Sequence, residues 1–121
     1  MLFDNGNKHR GWSRVLEVDP RTGGRVWSYK TDPPEDFFCP ARGTVQPLAN
    51  GNLLVCDSRV GESFELTRDH RLVWRFLVPY YGGAAGGRAS MRIHRYELDY
   101  VDPILAAKGV VPPPSSGSLP R

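Results

Sequence analysis

Residues 14–29, RVLEVDPRTGGRVWSY, can be laid over residues 63–76, SFELTRDHRLVWRF. Glu17 then falls on Glu65, Val18 on Leu66, Val26 on Val73 and Trp27 on Trp74. The acids stand 48 residues apart and the tryptophans 47, so one residue is lost in the turn between them. Upstream, MLFDNG matches LLVCDS, with Asp4 over Asp57. An internal repeat of this length constrains a chain strongly. One unit cannot bury both of its faces alone, so neighbouring units must stack.

The unit itself reads as strands. In SRVLEVD, Val15, Glu17 and Asp19 share one face, and Leu16 and Val18 share the other. GRVWSYKT, NLLVCD, SFELT and RLVWRFLV are short β-rich runs, and MLFD is a further short apolar run ending at NGN. GTVQPL carries a proline, which suits a strand end or an edge. DPRTGG, ANGN and TRDH between them are turn chemistry. The order is strand, NGN turn, strand ending in Asp, strand with Glu, tight turn, strand with Val-Trp. Four short strands per 47–48 residues is the pattern of a propeller blade. The tryptophans are read as blade-to-blade packing, and Asp4 and Asp57 as turn caps. Helix signals are confined to DPILAAKG, 102–109, with Pro103 in a first turn and Gly109 as a stop. The last β-run is MRIHRYELDY, 91–100.

The fold class expected is therefore all-β, a partial β-propeller of about two antiparallel four-stranded blades with a short C-terminal helix or coil. The propeller part spans 1–101: an incomplete first blade over 1–32, a second over 43–79 and a closing segment over 90–101. The first residues fall in mid-blade, because Met1 aligns inside LLVCD. Residues 102–121 hold the short helix and a Pro/Ser-rich tail read as disordered. GGAAGGR lacks the strand-then-helix context of a phosphate loop and is read as a flexible loop.

Composition narrows function mainly by exclusion. The chain has 13 Gly and 11 Pro in 121 residues, which fits many turns without reaching the level of disorder. The net charge of +3 comes from scattered basic residues, and no Lys/Arg cluster of the nucleic-acid type occurs. Cys39 and Cys56 lack metal-ligand spacing and are read as small core residues. No apolar signal segment is visible, and no apolar run reaches the 18 residues of a membrane span. No compartment is assigned.

LFDNGN, SRVLEVDPRTGGRVWSYKTDPPEDFF, GTVQPLANGNLLVCDSRVGESFELTRDHRLVWRFLVPY and MRIHRYELDY, in that order, resemble the C-terminal blades of the arylsulfotransferase family. That family has quinoprotein-like β-propellers. The resemblance covers most of residues 1–105. It implies sulfuryl transfer between phenolic compounds, with an aryl sulfate or a phenol as partner, a histidine nucleophile at the central channel and no cofactor. A sulfuryl group is negatively charged on its oxygens, so cationic donors stabilise its transfer, and an imidazole can carry the group covalently. In FDNGNKHR the resemblance points to Arg10 as the sulfate-binding arginine with His9 beside it, although both lie one or two residues late for the motif. A solvated loop arginine is the other reading of Arg10. If Arg10 binds sulfate, Arg10→Ala in a full-length homologous context lowers transfer on the order of a hundredfold and barely changes the melting temperature. NLLVCD has no histidine where the family places one. His70 is read as exposed and His94 as structural. Two functions follow: a C-terminal piece of an arylsulfotransferase-like propeller, or a non-catalytic propeller segment used for binding or assembly. Either leaves blade faces exposed and predicts self-association through them.

Overall fold

The computed structural model describes residues 1–80, 87 and 92–111. The fold is mostly β: two antiparallel sheets, of three and four strands, and one short helix, with no closed barrel among the described residues. The first sheet contains β1 (Leu2–Asp4), β2 (Arg14–Val18) and β3 (Arg25–Tyr29), in that order. The second contains β4 (Thr44–Pro47), β5 (Leu53–Asp57), β6 (Glu62–Leu66) and β7 (Leu72–Leu77), again in chain order. The β2–β3, β4–β5 and β6–β7 connections are short, as the turn chemistry predicts, whereas longer loops join β1 to β2 and β3 to β4. In the β4–β5 turn Gly51 takes a φ of +84°, where a side chain is disfavoured.

The repeat read from the sequence holds at the level of hydrogen-bonded register. Asp4 pairs with Arg14 as Asp57 pairs with Glu62, and Glu17 pairs with Trp27 as Glu65 pairs with Trp74. The same irregularity follows in both sheets, between Glu17 and Val18 and between Glu65 and Leu66. One residue extra on one strand at that point bends it and increases the local twist.

The sheets stack by unlike faces. Phe3, Val15, Trp27 and Tyr29 come from one face of the first sheet, and Val45, Leu53, Val55, Phe64 and Leu66 from one face of the second. Phe37, from the β3–β4 connection, enters between them. Its ring meets Phe3, Tyr29 and Phe64 with centroids 5.4, 6.2 and 5.7 Å away. Gly43 is small for a packing reason, since a Cβ there would overlap the Phe3 ring. Cys39 and Cys56 are both fully buried, as expected of core residues.

The C-terminal segment departs from expectation. Residues 92–97 are not a strand, and α1 runs from Leu98 to Ala107, so the end of the expected β-run is helical. The Gln46 side chain replaces a strand ladder here. Its Nε2 donates to the Arg95 carbonyl at 2.8 Å, and the Arg95 N–H donates to its Oε1 at 2.9 Å. Pro103 sits inside α1 rather than in its first turn, which removes one backbone donor. Asp99 in the first turn suits the helix dipole. The Gly/Ala-rich loop, apart from Gly87, and the tail from 112 lie outside the described residues.

Candidate functional site

Arg10 and His9 stand in the loop between β1 and β2. Asn7 shapes that loop: its Oδ1 accepts the backbone N–H groups of His9 at 3.0 Å and Arg10 at 2.8 Å. Asp4 was expected to cap this turn, but it serves as an ion-pair acceptor and Asn7 is the cap. The Arg10 guanidinium reaches both Asp4 oxygens at 2.9 and 3.0 Å, and also the backbone carbonyls of Asp4, Asn5 and Trp12. It lies over the Trp12 ring, 4.7 Å from the centroid. Arg14 adds a second cation to Asp4 at 2.6 Å. These contacts engage most of the guanidinium's five N–H donors within the chain. His9 is exposed beside it.

The loop is tied to the core through Ser13, which is fully buried. The Ser13 Oγ accepts the N–H groups of Gly6 and Cys39 and donates to the Cys39 carbonyl, while the Ser13 N–H donates to the Phe37 carbonyl at 2.6 Å. Arg10 therefore holds the shape of a loop that positions Phe37.

The other histidines are elsewhere. His70, exposed in the β6–β7 turn, packs edge-on against Trp27 and Tyr29. His94 lies in the 92–97 segment with its ring 5.9 Å from that of Tyr96. The fold does not bring His9, His70 and His94 together. Among the described residues no three His, Cys, Asp or Glu side chains form a metal site, and no helix is long and apolar enough to cross a membrane.

A cleft of about 630 Å³ opens at one end of the sheet interface. Its lining includes the rings of Tyr29, Phe37 and Phe64 and the charged side chains of Asp36, Asp57, Arg59, Glu62 and Arg75. Arg75 pairs with Glu62 there, the Arg59 side chain donates to the Phe38 carbonyl, and the Asp57 Oδ1 caps the following turn by accepting the Arg59 backbone N–H at 2.9 Å. Burial pushes the Tyr29 hydroxyl up, and the Glu62 charge adds to this, so the phenol stays protonated at neutral pH. Such a cleft offers apolar contact and hydrogen bonds rather than an activated nucleophile.

Two matching polar clusters mark the sheet faces. On the first sheet, Glu17 pairs with Arg68 of the β6–β7 turn, whose guanidinium lies 4.8 Å from the Trp27 centroid. The Trp27 Nε1 donates to the Arg68 carbonyl at 2.9 Å. Trp27 thus packs between sheets, as expected. On the second sheet, Glu65 pairs with Arg95, whose guanidinium lies 5.4 Å from the Trp74 centroid. Asn50 and Asn52 also donate to Glu65, at 3.1 and 2.7 Å. Trp74 is 37% exposed, and among the described residues no further sheet covers it. The sequence carried the Glu and Trp of both sets in its repeat. The arginines were not legible, because Arg68 lies in the turn where the repeat loses a residue and Arg95 lies outside the repeat.

These carboxylates make folding acid-sensitive. The Arg10 hydrogen bond lowers the Asp4 carboxyl despite some burial, and Arg14 adds to the effect. Burial raises Glu65, but hydrogen bonds from Asn52, Arg95 and Asn50 outweigh it and the net shift is downward. Both groups bind protons less readily folded than unfolded. Their stabilisation is thus complete above the unfolded carboxylate values of about 4 and is lost as pH falls through the lower folded values. Urea melts across a pH series should show stability dropping below about pH 4, with a shallower drop in Asp4→Asn. An unchanged slope in that variant would remove Asp4 from the account.

Comparison with protein-family models, curated proteins and solved structures gives no match.

Proposed function

We propose that this chain is part of an arylsulfotransferase-like β-propeller, that its two sheets are successive blades, and that its own role is blade stacking and binding rather than sulfuryl transfer. One observation carries the reading: register-equivalent sheets pack by opposite faces. A unit that joins its neighbour through unlike faces can be added to at both ends, which is how repeat arrays gain stability. Sulfuryl transfer, the activity that the resemblance implies for the parent family, needs a cation free to meet sulfate oxygens. Arg10 would first have to leave Asp4 and three backbone carbonyls.

The test is transfer from 4-nitrophenyl sulfate to phenol, followed by release of 4-nitrophenol. The expected result is no release above buffer. Release that disappears in His9→Ala would overturn the assembly reading and restore the loop as an active site.

A further inference from the structure

The two Glu–Trp–Arg sets differ in one respect. Arg68, which closes the first set, belongs to the turn of the neighbouring sheet, whereas Arg95, which closes the second, belongs to the 92–97 segment. Arg95 makes the same two contacts, a carboxylate pair and a cation over indole. Gln46 grips its backbone from the same row of the sheet, in which Gln46, Leu54, Glu65 and Trp74 stand side by side. We infer that residues 92–97 are a cap standing in for the turn of a following sheet. The face beneath, on which Trp74 and Phe76 are exposed while Ser63 and Glu65 are buried, is a docking surface for the three-stranded sheet of a second copy of this chain once the cap is displaced. This rests on the assembly reading and names its partner.

The occupant follows from the interface already inside the chain. There, the face bearing Val15, Glu17, Trp27 and Tyr29 meets the opposite face of the next sheet, and a turn arginine closes the contact. Ser63, Glu65, Trp74 and Phe76 hold the register positions of those four residues on the second sheet. Trp74 and its stacked neighbour Phe76 are 37% and 41% exposed. The face of the first sheet that a second copy would present carries Leu2, Leu16 and Val26, with Leu2 and Val26 exposed. Its β2–β3 turn carries Arg21, whose side chain is 89% exposed and which corresponds to Arg68 to within one residue. Apolar face and turn arginine thus recur together. Docking gives Glu65 the partner's arginine in place of Arg95, so this carboxylate, 7% exposed, keeps a cation throughout. Cap and second copy compete for one position.

Sedimentation velocity of the full chain over a concentration series tests this. The wild type should associate weakly. Arg95→Ala should tighten association about tenfold, because a closed cap reduces apparent affinity by the fraction of molecules that are open. Arg95→Lys, which keeps the charge but loses the planar fork, should give a smaller gain, and it serves if the alanine variant fails to fold. Adding Arg21→Glu should abolish the gain without altering the circular dichroism, since Arg21 is exposed. Association unchanged in both Arg95 variants, or a gain that survives Arg21→Glu, would overturn the competition. Sulfuryl transfer in the assay above would instead sink the assembly reading, so the two failures are distinguishable.

Discussion

Phe37→Ala is expected to bring the protein close to unfolding at ambient temperature. Phe37 is 3% exposed and comes from a connection rather than a strand. Its ring touches Phe3 and Tyr29 of the first sheet and Phe64 of the second, mostly edge to face. Truncation removes the transfer free energy of a buried ring and leaves a cavity that two hydrogen-bonded sheets cannot easily collapse. The cost of such a change is about 3–5 kcal/mol. Small domains hold only about 5–15 kcal/mol in total. Phe37→Leu, which keeps most of the volume, should cost less than about 1.5 kcal/mol. Urea titrations of the three proteins decide the matter. A Phe37→Ala midpoint close to the wild-type value would mean that the sheets hold together without this ring.

Arg10→Ala should lower stability by about 2–3 kcal/mol, the scale for losing hydrogen bonds between charged groups in a partly buried setting. For a domain of this size that is a fall in melting temperature of about 10 °C. This outcome differs from the one expected of Arg10 as a sulfate ligand, which is lost transfer with little change in melting temperature. The cause is visible in the loop. Asp4 and three carbonyls converge on the guanidinium, and the loop they shape is bonded through Ser13 to Phe37 and Cys39. Arg10→Lys should recover only part of the loss, because an ammonium cannot span both Asp4 oxygens and the Trp12 carbonyl as a planar fork does. The alanine variant melting with the wild type would return Arg10 to the role of a loop cation free for an anion.

These two residues also show how far local pattern reaches. Alternation and turn chemistry act over a few residues, so the strands, their order and the repeat were legible: Glu17 opposite Trp27 and Glu65 opposite Trp74 follow from strand spacing and turn length. Cys39 and Cys56 as core residues and Pro47 at a strand end were equally local. Phe37 was not legible as a core residue, because it lies in no strand and owes its burial to both sheets closing over it. MRIHRYELDY alternates like a strand, yet Gln46, far away in sequence, satisfies the backbone at Arg95, and the chain turns helical after it. Asp4 and Asp57 end matching strands, but Arg10 and Arg14 make the first an ion-pair acceptor, while the second caps a turn. The tryptophans draw the line most clearly. Trp27 and Trp74 share a local sequence and a register position, so the sequence alone determined that each would stand beside a glutamate on one face of a sheet. Only the tertiary structure decided what covers them, because the covering arginine lies 41 residues from Trp27 in the next sheet and, for Trp74, in a segment beyond the last strand.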